Sequence, residues 1–227
     1  MDYTLSDIAK MIDHSLLKPS LTTDELQAGC RLAVELDVAS VCIIPSAVKL
    51  CAEILRDSGV MTSTTIGFPH GAHTTNVKRA EAEWALADGC QELDMVVNVS
   101  QVLSGHWDYV RDDIWAVIDV AHCAGQKVKV IFENCYLSDE HKIRLCELCG
   151  ELDADWVKTS TGFGTSGATL EDLKLMRKHT PDHVQLKAAG GVRDLDTLLA
   201  AREIGATRVG ASCSEQLLAE CRQRLEA

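Results

Sequence analysis

The chain has 227 residues, of which 46% are hydrophobic, and a formal net charge of −12 at pH 7. Its length suits one large domain or two small ones. No run approaches the ~20 apolar residues of a membrane span. The acidic balance disfavours nucleic acid as a partner, because binding it needs a concentrated basic surface. The N-terminus has no signal-peptide core and the chain has ten cysteines, a combination that predicts a reducing, cytoplasmic location.

Helix-period segments alternate with short β-branched runs from one end of the chain to the other. Eight candidate strands begin near Ile12, Ser40, Thr62, Leu93, Val128, Trp156, Val184 and Thr207. Such alternation indicates parallel strands joined by right-handed crossovers. The sequence therefore predicts a single-domain (β/α)₈ barrel over residues 1–227, with a short helical segment before the first strand. A doubly wound open sheet is the alternative, but no G-x-G-x-x-G follows the first strand.

Two residues on the first strands are candidates for the site, because catalysis in a barrel lies at the carboxyl end of the strands. Asp13 on the first strand is either a site residue or a helix-capping or turn residue. Cys42 on the second strand is better interpreted as a buried apolar thiol, which can still line a pocket.

Two short motifs could suggest a metal. His70 and His73 follow the third strand, and Cys146 and Cys149 lie in a helix-period segment. A metal site needs three or four convergent ligands, and neither motif has further ligands nearby. We therefore predict no metal.

The next four strands carry charged residues in alternation with apolar ones. Asp94, Lys129, Lys158 and Lys187 each fall on the polar face of their strand, which would face the barrel interior. Buried charges on four successive strands indicate a reaction centre. Lys158 runs into a Thr-Ser-Thr-Gly loop, and burial would favour the neutral amine that forms a Schiff base. The alternative for Lys158 is a structural ion pair.

Glycine-rich turns follow the last two strands. Residues 188–193 contain Gly190, Gly191 and Arg193, and the eighth strand leads into Gly210 and Ser212. Glycine lets backbone amides approach an anion, and a helix N-terminus favours negative charge. The turns therefore predict a phosphate site, with ordinary tight turns as the alternative.

Four segments resemble the deoxyribose-phosphate aldolase family: residues 157–162 (VKTSTG), 187–193 (KAAGGVR), 92–98 (ELDMVVN) and 12–19 (IDHSLLKP). The similarity runs in order from about residue 5 to 220. It implies a (β/α)₈ barrel and a class I aldolase without a cofactor. The reaction would be the reversible cleavage of 2-deoxy-D-ribose 5-phosphate, in deoxyribonucleoside catabolism, to D-glyceraldehyde 3-phosphate and acetaldehyde.

The resemblance also implies residue roles. Lys158 matches the Schiff-base lysine, Lys187 the second lysine, and Asp94 the proton-transfer carboxylate. The residues that match the family's substrate-binding positions are Asp13, Cys42, Lys129, Thr161, Gly162, Gly190, Gly191, Arg193, Gly210 and Ser212.

The chain departs from the family at three places. Phe163 stands where some members have a basic residue, which would weaken the hold on phosphate. Cys213 replaces a second serine, and the chain ends at Ala227 without the tyrosine-ended tail of longer members, so we expect no proton shuttle from such a tail.

Two other functions stay open, together with the oligomeric state. One is a different Schiff-base lyase acting on another phosphorylated sugar, such as a transaldolase-like or fructose-phosphate aldolase. The other is a phosphosugar-binding barrel without chemistry, which would not need Lys158, Lys187 and Asp94 together. By analogy with the family, we expect a homodimer or homotetramer whose ligands are a small phosphorylated sugar and aldehydes.

Overall fold

Eight parallel strands form a closed barrel in chain order in the computed structural model, which describes residues 3–226. The strands are β1 (Ile12–Leu16), β2 (Ser40–Ile43), β3 (Met61–Ile66), β4 (Glu92–Val96), β5 (Lys127–Ile131), β6 (Trp156–Lys158), β7 (Gln185–Ala189) and β8 (Ala206–Ala211). The last strand pairs with the first, Asp13 lying beside Gly210. The barrel is therefore confirmed and the open-sheet alternative is wrong. Each strand begins within one residue of its predicted start.

Ten α-helices are present in the described residues, most of them between successive strands. They are α1 (Leu5–Ala9), α2 (Thr23–Glu35), α3 (Val48–Leu55), α4 (Thr75–Ala87), α5 (Val99–Leu103), α6 (Trp107–Cys123), α7 (Asp139–Glu151), α8 (Leu170–His179), α9 (Leu195–Ile204) and α10 (Ser214–Glu226). Short 3₁₀ helices span Pro45–Ala47 and Asn134–Tyr136. The α1 helix is the predicted N-terminal helical segment. Over residues 3–226, no helix has the length and apolar character needed to cross a membrane.

The main hydrophobic core lies between the strands and the surrounding helices. On β4, Leu93 and Met95 are fully buried in this core, while Glu92 and Asp94 alternate with them. Successive side chains of a strand point to opposite faces. The apolar set therefore packs against the helices, each large side chain stabilising the fold by about 2 kcal/mol, and the polar set is left to the barrel interior, as predicted.

Candidate active site

A cavity of about 770 Å³ opens at the carboxyl end of the barrel. Eleven of the thirteen predicted site residues line this cavity: Asp13, Cys42, Lys158, Thr161, Gly162, Lys187, Gly190, Gly191, Arg193, Gly210 and Ser212. The remaining two, Asp94 and Lys129, are completely buried below its floor. Lys129 contacts the carboxylates of Asp94, Glu92 and Asp13. Its contact with the substrate stays a prediction.

Asp94 is the centre of the buried charges. Its Oδ2 accepts hydrogen bonds from Lys158 Nζ at 2.6 Å and Lys187 Nζ at 2.7 Å, and its Oδ1 accepts one from Lys129 Nζ at 2.8 Å. Strand register explains the convergence, because Asp94 lies beside Lys129 and Lys158 lies beside Lys187 on neighbouring strands. One carboxylate therefore holds all three predicted lysines.

A second group of charges adjoins Asp94 inside the barrel. Asp13 accepts hydrogen bonds from Lys187 and from Arg208. Arg208 also donates to both carboxylate oxygens of Glu92, at 3.0 and 2.8 Å, and Lys129 contacts Glu92 at 2.6 Å. Counting Asp94 and Lys158, the interior has three carboxylates and four basic side chains. The charges balance when one of the four bases is neutral.

The environment acts differently on Lys158 than on the other two lysines. Burial lowers the pKa of Lys158, and the charge of Lys187 lowers it further, against the opposing effect of Asp94. Burial acts in the same direction on Lys187, but the carboxylates of Asp13 and Asp94 outweigh it and raise the pKa of that lysine. The Lys129 pKa is raised in the same way. Of the three lysines, Lys158 is therefore the one whose environment favours the neutral amine.

The glycine loops after β6 and β7 pack directly against each other. A Cβ added to Gly167 would lie 2.1 Å from the carbonyl oxygen of Gly190, so only glycine fits there. Ala168 donates its backbone N–H to that same oxygen at 2.9 Å. Gly162 and Gly190 have φ values of +85° and +80°, a conformation that favours glycine. The close packing brings the backbones of both loops to one side of the cavity.

Two carboxylates contact the start of the helix after β7. Asp194 caps the N-terminus of α9 by accepting a hydrogen bond from Thr197 N at 2.8 Å, and Glu220 accepts one from Leu195 N at 2.9 Å. Because carboxylates accept the amides of Leu195 and Thr197, these two amides are not free to bind an anion. The loop amides at 190–191 and the segment before α10 remain for that role.

Comparison with known proteins identifies the family. Residues 8–217 match the family model described as DeoC/LacD family aldolase. The chain is 62% identical to the deoxyribose-phosphate aldolase of Rhodopirellula baltica, over 99% of this chain and 93% of that protein. This chain belongs to the DeoC/LacD aldolase family.

Solved structures agree with that assignment. An aldolase called QR15 superposes with a TM-score of 0.92 at 37% identity, covering 97% of this chain and 98% of that one. The deoxyribose phosphate aldolase of Aeropyrum pernix, whose structure is described as a unique tetramer, has a TM-score of 0.90 at 27% identity, covering 97% and 93% of the two chains.

Cys42 and Thr161 of this aldolase line the cavity in different ways. Burial, followed by the charge of Asp94, raises the pKa of the Cys42 thiol, which keeps the thiol neutral as expected for a buried cysteine. Thr161 donates its hydroxyl and its backbone N–H to Glu133. Glu133 thus fixes the start of the loop that contains Gly162.

Sequence reasoning missed several residues of this site. Arg208 was not selected, although it lies two positions before Gly210 and strand alternation places both on the same face. Glu92 lies two positions before Asp94, so the same alternation places it on the same face of β4. Glu133 has a left-handed backbone conformation at φ 58°, for which its residue type offers no signal. Lys18, on the loop after β1, also lines the cavity.

The two motifs that could have suggested a metal lie apart from the cavity. His70 and His73 are exposed on the loop after β3, while Cys146 and Cys149 are buried in α7. Within residues 3–226, no group of three or more histidine, cysteine, aspartate or glutamate side chains is arranged to bind a metal. All ten cysteines are free thiols.

Proposed function

We propose that this aldolase reversibly cleaves 2-deoxy-D-ribose 5-phosphate to D-glyceraldehyde 3-phosphate and acetaldehyde through a Schiff base on Lys158. The observation that carries the proposal is a buried lysine of lowered pKa on the wall of the cavity, 2.6 Å from Asp94. The names of relatives such as the Rhodopirellula baltica protein support the choice of substrate.

In the first stage, the neutral Lys158 amine attacks the C1 aldehyde of the open-chain sugar. The resulting carbinolamine loses its oxygen as water and becomes an iminium, which only an amine side chain can form. Protons must reach that oxygen. Lys187, whose raised pKa keeps it protonated, and Asp94, which contacts both amines, supply the transfer through water.

In the second stage, the proton leaves the C3 hydroxyl and the C2–C3 bond breaks. The electron pair of that bond moves into the iminium and gives an enamine, so no free carbanion forms. D-Glyceraldehyde 3-phosphate departs. Protonation of the enamine at C2 and hydrolysis of the new iminium release acetaldehyde and restore the Lys158 amine. Asp94 and Lys187 carry protons in these steps too.

The phosphate group binds at the glycine loops. Backbone amides of Gly190 and Gly191 and the side chain of Arg193 supply the positive potential, with Gly162, Gly210 and Ser212 completing the wall. Phe163 contributes no charge to this end of the cavity, although it lies on its wall. Arg193 is therefore the basic side chain that the two glycine loops offer to phosphate.

The rest of the proposal concerns the setting of the enzyme. The enzyme is a single barrel domain that needs neither a metal nor an organic cofactor. It acts in the cytoplasm, in deoxyribonucleoside catabolism. It has no nucleic-acid or membrane partner. Ten free thiols support a reducing compartment. The chain forms a homodimer or homotetramer, supported by the tetramer of its Aeropyrum pernix relative and by Trp84, which is 75% exposed.

The proposal is tested by borohydride reduction in the presence of deoxyribose 5-phosphate. We expect inactivation and a reduced adduct on the peptide that contains Lys158, and no adduct in Lys158→Met. An adduct chiefly on Lys187 or Lys129 would overturn the assignment. Synthesis from acetaldehyde and glyceraldehyde 3-phosphate decides among the alternatives, because a binding protein forms no product and a different lyase forms no deoxyribose 5-phosphate.

A further inference from the structure

A charged pair is buried outside the barrel, between α4 and α6. Lys78 and Asp113 form an ion pair in which both side chains are at most 1% exposed. Asp113 also accepts a hydrogen bond from Thr75 Oγ1 at 3.0 Å. Neither charge takes part in the chemistry proposed above. An apolar pair would hold two helices together at least as well, because burying charges carries a desolvation penalty.

The polar contacts of α4 extend to the ends of two strands. Lys78 Nζ donates to the carbonyl oxygen of Val96, the last residue of β4, at 2.8 Å. One turn later, Glu81 Oε2 accepts the backbone N–H of Gly67, just after β3, at 2.6 Å. A Cβ on Gly67 would lie 2.7 Å from Lys78 Cε, so the lysine stem also packs directly against this glycine.

Residues 67–71, which we call the β3 loop, connect the contacts of α4 to a residue of the cavity wall. Gly71 closes the loop through a hydrogen bond from its N–H to Gly67 O at 2.7 Å, and a Cβ there would lie only 1.9 Å from the carbonyl oxygen of Val97. Between the two glycines, the ring of Phe68 meets the ring of Phe163 edge to face, with centroids 5.3 Å apart. Phe163 lines the cavity directly after Gly162.

These contacts form a continuous path from the buried pair to the cavity. Apolar substitutes would fill the space between the helices, but they could not donate to Val96 O. We infer that Lys78, held by Asp113, is a positioning residue that, with Glu81, fixes the β3 loop so that Phe68 supports Phe163 and the phosphate-side loop 161–167. The pair acts on substrate binding through this loop and does not touch the reacting atoms.

The inference rests on the proposed function, since it predicts a change in binding of deoxyribose 5-phosphate. Lys78→Met keeps the length of the stem and removes the donor. We expect its KM for deoxyribose 5-phosphate to rise about tenfold, as a displaced binding loop would cause, with kcat within about twofold of the parent. The KM for free deoxyribose should change little, because that sugar does not use the phosphate-side loop.

Glu81 provides a test that leaves the buried pair intact. Glu81→Gln keeps an oxygen that can accept the Gly67 N–H, whereas Glu81→Ala removes it. The alanine variant should raise the KM for deoxyribose 5-phosphate and the glutamine variant should restore most of the parent value. If Lys78→Met does not fold, the comparison of the two Glu81 variants tests whether α4 positions the β3 loop.

A double-mutant cycle tests the path itself. Phe68→Ala should raise the same KM, and the Lys78→Met/Phe68→Ala double variant should be no worse than the more severe single variant, because both act through one loop. Lys142→Met is the matched control. Lys142 is 8% exposed and pairs with Asp172 between α7 and α8, so its loss should lower the melting temperature and leave KM unchanged.

Several outcomes would overturn the inference. They are an unchanged KM ratio between the phosphorylated and free sugars, additive effects of Lys78→Met and Phe68→Ala, or equal effects of the two Glu81 variants. In each of these cases, turnover by the unaltered enzyme would leave the proposed function standing. Absence of any turnover of deoxyribose 5-phosphate by the unaltered enzyme would refute the proposed function, and this inference with it.

Discussion

Replacing Lys187 with glutamine should move the pH–rate profile to higher pH. The Lys158 and Lys187 amines contact the same oxygen of Asp94, at 2.6 and 2.7 Å. The two nitrogens are therefore at most about 5 Å apart, where like charges repel by about 3 kcal/mol at an effective dielectric constant of about 20. The carboxylate of Asp13 beside Lys187 reduces this effect. We take about 1.5 kcal/mol, or one pKa unit, as the expected shift.

The direction of the shift follows from the charges. Lys187 lowers the pKa of Lys158, so its removal raises that pKa and reduces the neutral fraction of the amine. The rising limb of kcat/KM, measured from pH 6 to 10, should move up by about one unit, with partial recovery of rate at high pH. The rate of borohydride trapping should follow the same curve.

Asp94→Asn is the opposite control for this prediction. The carboxylate raises the pKa of Lys158, so its loss should move the limb to lower pH while the maximum rate falls, because proton transfer is lost. If Lys187→Gln loses rate but keeps the limb of the parent enzyme, Lys187 does not tune Lys158. It would then act only as a proton donor or substrate contact.

Three further predictions concern the phosphate end and the stability of the fold. Arg193→Ala should raise the KM for deoxyribose 5-phosphate by tenfold or more, since charged hydrogen bonds contribute about 1.5–3 kcal/mol, and equal effects on free deoxyribose would place Arg193 outside the phosphate site. Gly167→Ala should push Gly190 away and raise the same KM, with an unchanged value contradicting the packing of the loops. Burial lowers the pKa of His14 to about 4, below the ordinary 6.5, so protonation favours the unfolded chain. The free energy of unfolding in urea should lose about 3 kcal/mol as pH falls from 6.5 to 4, but not in His14→Gln.

The sequence was enough to predict the barrel and the side of each strand that faces its interior. Strand alternation alone puts Asp94, Lys158 and Lys187 on interior faces, and parallel pairing brings neighbouring strands together. Strand alternation does not specify which residue pairs with each charged side chain. Arg208 reaches Glu92 across 116 positions of sequence, and such pairing depends on the closed barrel.

Other features depend on local geometry that residue type does not reveal. Lys78 looks like an ordinary surface lysine in a mixed-charge helix, and only the packing of α4 against α6 buries it beside Asp113. Amides at the start of α9 donate to the carboxylates of Asp194 and Glu220, whereas the glycine-rich sequence before this helix predicts a phosphate site there. In both cases the observed arrangement depends on contacts between elements that are far apart in the chain, which residue type alone does not indicate.

The charged interior also ties activity to the final step of folding. Asp13 on β1 bonds to Lys187 and Arg208, which lie 174 and 195 positions later in the chain. We expect a partly closed barrel to leave these charges without their partners, which is unfavourable wherever they are kept from water. Closure should then depend on contacts of high sequence separation. Aldolase activity regained during refolding would then report the moment at which the last strand joins the first.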